Sequence, residues 1–91
     1  MTASRRKKLQ AIIEAIEDLR SQLEDQQSDL EELKDEEMEY FENIPENLQF
    51  SERYERAETS SSALEDAYDT LEDLISRLGD VTSSIEEAID A

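Results

Sequence analysis

From Leu9 onward the apolar residues of this chain return at alternating steps of three and four: Leu9, Ile12, Ile16, Leu19, Leu23, then Leu30 and Leu33, ending at Tyr40. A 3.5-residue period holds one narrow stripe of a helix against a neighbouring helix, whereas a half-buried strand needs a period of two. Written as heptads, position a holds Leu9, Ile16, Leu23, Leu30 and Glu37, and position d holds Ile12, Leu19, Gln26, Leu33 and Tyr40. Eight of these ten are apolar and no Gly or Pro interrupts the run. The pattern predicts one helix over about residues 3–42, roughly 60 Å long at 1.5 Å per residue. Thr2 or Ser4 is placed to cap its start.

Composition by itself is ambiguous. Twenty-six acids against nine bases give a net charge of −17, and aromatic residues are few, a balance also found in disordered acidic chains. A disordered chain has no reason to keep a 3.5-residue period, and here the period returns after a break. Asn43-Ile44-Pro45-Glu46-Asn47 ends the first helix, because Pro45 lacks an amide donor and restricts Ile44 to extended geometry. Pro45 can open one short turn through Gln49, and Ser51 can cap a second helix. From there the apolar seam runs Tyr54, Ala57, Ser61, Leu64, Tyr68, Leu71, Ile75, Leu78, Thr82, Ile85 and Ile89. Gly79 is its weak point, at about 1 kcal/mol relative to Ala in a helix interior, and Ser83 or Ser84 offers a second cap there. The seam keeps phase across Gly79, which predicts one helix over about residues 52–90, bent at that glycine if anywhere.

A short connection makes the two helices antiparallel neighbours, so the fold class expected is all-α, a two-helix coiled-coil hairpin. The e column of the first helix (Arg6, Ile13, Arg20, Gln27, Lys34) then faces the e column of the second (Glu58, Glu65, Glu72, Gly79, Glu86). Pairing residues whose numbers sum to 92 sets Lys34 against Glu58, Arg20 against Glu72 and Arg6 against Glu86, with Ile13 over Gly79. Core pairs follow near a sum of 94, including Leu23 with Leu71 and Gln26 with Tyr68, and half of that sum falls in the predicted turn at Asn47. Each exposed ion pair contributes under about 1 kcal/mol, so such pairs align the helices more than they stabilise them. Arg5-Arg6-Lys7-Lys8 at one helix start and Glu86, Glu87 and Asp90 at the other helix end each oppose the local helix dipole, and the hairpin brings the two clusters together.

The g column of the second helix, Ser60, Ala67, Leu74, Val81 and Ala88, is small or apolar throughout. With a and d it makes a stripe wider than a two-helix seam uses, and a lone hairpin buries little core. The expectation is a homodimer forming a four-helix bundle with Ala67, Leu74, Val81 and Ala88 at the interface. A heterologous partner on the same stripe is the alternative.

Catalytic chemistry finds no support. The chain has no His, Cys or Trp and one Gly. This removes imidazole and thiol catalysis, disulfides, the usual zinc sites and any glycine-rich phosphate loop. Helically spaced carboxylates such as Glu65, Asp69, Glu72 and Asp73 read as a solvated acidic face, without the Glu-x-x-His or glycine-centred loop that di-iron or calcium sites need. No cofactor or metal is expected. The apolar residues after Arg5–Lys8 are interrupted by Glu14, Glu17 and Asp18, so neither a leader nor a membrane span is read, and a cytoplasmic protein is expected.

The charge is unevenly placed. Residues 24–73 hold 19 acids against Lys34, Arg53 and Arg56, a net of −16. Folded into a hairpin they span roughly 38 Å, or about one negative charge per 2.3 Å, against one per about 1.7 Å of duplex DNA. A partner with a basic surface is therefore expected on Glu24, Asp25, Asp29, Glu31, Glu32, Asp35, Glu36, Glu39, Glu42, Glu65, Asp66, Asp69, Glu72 and Asp73. Either this surface imitates nucleic acid or it only keeps a thin coiled coil soluble. Direct nucleic-acid binding is disfavoured, because Arg5–Lys8 is the only basic cluster in a field that repels phosphate. At the turn, Tyr40, Phe41, Ile44, Leu48, Phe50 and Tyr54 gather most of the aromatic residues. They either plug the open end or leave Phe41, Ile44, Leu48 and Phe50 as a docking tip.

The turn Asn43-Ile44-Pro45-Glu46-Asn47-Leu48-Gln49, followed by Ser51-Glu52-Arg53, resembles the connector of small acidic helical-hairpin proteins encoded by bacteriophages and prophages, which also begin with a basic cluster and a long helix. That family has no established activity, so the resemblance carries over no functional residues. It implies a phage-encoded protein of the host-cell cytoplasm, and by analogy an inhibitor of a host nuclease or defence effector. The alternative function is a coiled-coil assembly or scaffold protein.

Overall fold

The computed structural model describes residues 1–91 and contains two long helices and no strand. Helix α1 spans Ala3–Glu42 and helix α2 spans Glu52–Asp90, joined by a single 3-10 turn at Glu46–Leu48. The helices pack side by side as an antiparallel hairpin, a rod of 69 × 17 × 14 Å. No helix is long and apolar enough to cross a membrane.

Local chemistry sets each boundary. The Thr2 hydroxyl accepts from the Arg5 amide at 3.2 Å and caps α1. At the other end Pro45, with φ −58°, stands clear of the helix, and its carbonyl accepts from the Leu48 amide at 2.9 Å to start the 3-10 turn. Ser51 then acts twice. Its hydroxyl donates to the Leu48 carbonyl at 2.6 Å and accepts from the Tyr54 amide at 3.2 Å, so one side chain closes the turn and caps α2. Helix α2 runs unbroken through Gly79, and the Thr82 hydroxyl donates back to the Gly79 carbonyl at 2.9 Å.

In α2 the buried and half-buried residues are those of the expected seam, from Tyr54 through Ile75 to Ile89, together with Gly79. Helix α1 is rotated relative to expectation. Its a column (Leu9, Ile16, Leu23, Leu30, Glu37) lies in the seam, but the second seam column is Ile13, Arg20, Gln27, Lys34 and Phe41. The expected d column faces outward, with Ile12, Leu19, Leu33 and Tyr40 all exposed.

This rotation replaces the expected e-to-e ion pairs. Arg20 is not opposite Glu72 but lies across Gly79, where a Cβ would come within 3.2 Å of its guanidinium carbon. Gly79 is thus covered by Arg20 rather than by Ile13. Lys34 does not reach Glu58. Its Nζ sits 4.9 Å from the centroid of the Tyr68 ring, so Lys34 takes the place against Tyr68 expected for Gln26. Arg6 donates its Nε–H to the Ile89 carbonyl at 3.3 Å instead of pairing with Glu86. The physical reason is the shape of the α2 seam. Gly79 leaves a gap that a long side chain fills, and the face of Tyr68 attracts a cation. The aliphatic stems of Arg20 and Lys34 cover apolar surface, and their charged ends pack on the opposite helix, the guanidinium on Gly79 and the ammonium over Tyr68.

The fit at Gly79 is incomplete, since the Arg20 Nε is buried without a hydrogen-bond partner and stands 3.8 Å from Glu24 Oε1. Gly79→Ala is expected to raise the thermal midpoint by about 4 °C. The gain in helix propensity approaches about 1 kcal/mol, each kcal/mol moves a domain of this size by about 4–8 °C, and the guanidinium can swing outward. Circular dichroism melts check it, and an unchanged or lower midpoint would mean that Arg20 cannot yield.

Candidate functional site

The rotation of α1 gives the two flanks of the hairpin opposite characters. On one flank the outward column of α1 (Ile12, Leu19, Gln26, Leu33, Tyr40) lies beside the g column of α2 (Ser60, Ala67, Leu74, Val81, Ala88). Leu19, Gln22, Leu23 and Gln26 join Leu74 and Leu78 around one open groove of about 490 Å³, with the carboxylate of Asp25 at its edge. Large apolar side chains stand in water along this flank: Ile12 is 47% exposed, Leu19 55%, Leu33 56%, Leu74 46% and Val81 44%. Ala67 and Ala88 are exposed as well. The sequence pointed to the α2 half of this surface. It missed the α1 half, because Ile12, Leu19 and Leu33 were assigned to the seam between the helices.

The opposite flank is acidic. Here Glu17, Glu24 and Glu31 of α1 run beside Glu58, Glu65, Glu72 and Glu86 of α2. Tyr68 records their convergence. Burial raises its phenol above the ordinary value, the charges of Glu31 and Glu72 push it further, and Lys34 works against them. Carboxylates from both helices therefore bear on one ring. A phenol raised in the fold keeps a proton that the unfolded chain loses near pH 10.0. Its contribution to stability is complete below that pH and is lost as pH climbs through the folded value. Thermal midpoints recorded from about pH 9 to 11 are expected to fall, and to fall less steeply in Tyr68→Phe. Parallel curves for the two proteins would remove Tyr68 as the cause.

All fourteen acids expected to contact a partner, Glu24 through Glu42 on α1 and Glu65 through Asp73 on α2, are exposed. They do not form one plane. Glu24, Glu31, Glu65 and Glu72 share the acidic flank, while Asp25, Asp29 and Glu36 border the apolar one. Few of them are neutralised within the chain: Glu24 stands near Arg20, Asp35 within 3.5 Å of Lys34 and Asp73 within 3.0 Å of Arg77. No group of three or more carboxylates is arranged to hold a metal ion.

The turn divides into an inner and an outer set. Ile44 is buried and Phe41 packs on Tyr54 with ring centroids 4.9 Å apart, so these residues close the end of the hairpin. Tyr40 lies beside Arg53, which donates its Nε–H to the phenol oxygen and stacks over the ring at 5.2 Å. Phe50 is 98% exposed and Leu48 is at the surface. Of the four residues expected as a docking tip, Phe41 and Ile44 act as the plug and Leu48 and Phe50 remain outside.

No family model matches the chain, and comparison with curated proteins and with solved structures returns no match.

Proposed function

We propose that this protein is a non-catalytic, acidic binding module whose negative flank engages a basic protein surface. It acts as a phage-encoded inhibitor of a host nucleic-acid-handling or defence protein in the host cytoplasm. The observation that carries the reading is charge placement. Residues 24–73 hold a net −16 in about 38 Å of rod, and carboxylates of both helices converge around Tyr68. Such a surface steers a cationic partner over long range and offers it a linear array of anions, as a nucleic-acid backbone does. The same field repels phosphate, so the protein competes with nucleic acid rather than binding it.

The test is capture of partners from bacterial lysate on the immobilised chain, eluted with a salt gradient and then with DNA. A basic nuclease or defence protein released at moderate salt and displaced by DNA supports the reading. Recovery of only this chain or phage structural proteins, held to high salt, defeats it. That result would favour a scaffold role, the second reading, to which the exposed apolar flank lends support.

A further inference from the structure

The apolar flank contains side chains whose exposure no feature of the single hairpin explains. The seam takes in Arg20, Gln27 and Lys34 while Ile12, Leu19 and Leu33 stand about half in water. A helix with apolar residues on a, d and one further column belongs in a bundle of more than two helices. We infer that a second copy of this chain covers the flank, running antiparallel to the first about a two-fold axis through Gln22 and Leu74, so that the two turns lie at opposite ends of a four-helix bundle.

Three observations select this occupant and this direction. The first is register. Gln22 lies midway along the α1 wall of the groove and Leu74 on its α2 wall, so they stand within about one helical turn of each other along the rod. An axis there sets Leu74 against its own copy, Ala67 against Val81 of the second copy, and Ile12 against Leu33 of the second copy. Each pair recurs about the axis, as an isologous contact requires, and these three set apolar against apolar, while Leu19 meets Gln26. The second is charge. Residues 24–73 carry −16 of the total −17, so turns placed together would press two such halves side by side. Opposed turns keep them apart and bring Lys8 of one copy opposite Glu36 of the other. The third is area. From Lys8 to Tyr40 the flank is about 48 Å long at 1.5 Å per residue, on a rod at most 17 Å across, which gives a footprint of up to about 800 Å². That is close to the roughly 800 Å² per partner of an ordinary stable interface.

The chain has no cysteine, so single cysteines report on this arrangement cleanly. Light scattering of the full chain is expected to give twice the chain mass. With a short bismaleimide, Leu74→Cys is expected to crosslink to a covalent dimer, while Phe50→Cys at the tip and Glu65→Cys on the acidic flank stay single. A monomeric mass for the unmodified chain at tens of micromolar overturns the inference and leaves the flank to a different protein. A dimer in which Phe50→Cys crosslinks and Leu74→Cys does not overturns it equally, since the turns would then lie together. The inference stands apart from the basic-partner reading: a monomer could still bind a basic protein, and a dimer could fail to.

Discussion

Ile75→Ala is expected to lower the thermal midpoint by about 15 °C. Ile75 is one of four buried apolar residues in the chain, with Ile13, Ile44 and Ala57. Truncating a buried isoleucine costs about 2–5 kcal/mol, through lost transfer energy and the cavity left behind. In a domain of this size each kcal/mol is worth about 4–8 °C. A thin rod has no second layer of core to share the loss, and total stabilities are only about 5–15 kcal/mol. Phe50→Ala supplies the contrast: its ring is 98% exposed, and its removal should change stability by less than about 0.5 kcal/mol. Equal shifts for the two variants in thermal melts would mean that the seam described here is not where the chain is held together.

Converting Glu24, Glu31, Glu65 and Glu72 together to Gln is expected to weaken binding to the basic partner about 100-fold, at about 0.7 kcal/mol for each charge. The plot of log affinity against log salt concentration should flatten at the same time, because fewer counterions are displaced. The control keeps the change in net charge and moves its place. Glu14, Asp18, Asp80 and Glu87, all exposed, nearer the termini and outside that flank, are replaced by the matching amides in the same number. If partner recognition depends on the turn-proximal acidic flank, only the first set loses affinity. Equal losses would mean that net charge alone attracts the partner, and no loss in either set would remove the acidic flank from recognition. Titration calorimetry at two or three salt concentrations distinguishes these outcomes.

Most of the fold is legible in the sequence because few signals compete. Pro45 permits one break, Ser51 offers one cap, and the α2 seam is a single column pair with mostly acids on one side and the small or apolar g column on the other. The face of α1 is harder to read because two columns, one apolar and one mixed, compete for the second place in the seam. Leu9, Ile12, Ile13 and Ile16 fit either choice, and a strict three-and-four count selects Ile12 and Leu19. The competing column opens with Ile13 and closes with Phe41 but holds Arg20, Gln27 and Lys34 between them, so hydropathy scores it as surface. What favours it is the opposite helix: the gap at Gly79 and the ring of Tyr68 accept long cationic side chains. That pairing depends on which residues meet across the seam, which periodicity within one helix does not report. The acidic surface was legible as a density of charge. Its concentration on one flank followed only from the rotation.

Because the single turn joins two helices of nearly equal length, both chain ends emerge at the same end of a 69 Å rod. A pull applied to the termini does not load the molecule as a whole. It falls first on the outermost layer, where Arg6 meets Ile89, and passes inward only as each layer gives way. The hairpin therefore opens like a zip, at a tension set by one layer at a time, with the Phe41–Tyr54 pair and Ile44 the last to part. Shear along the rod axis must break every layer together and meets far greater resistance. As a mechanical element the protein is weak to peeling and strong to sliding.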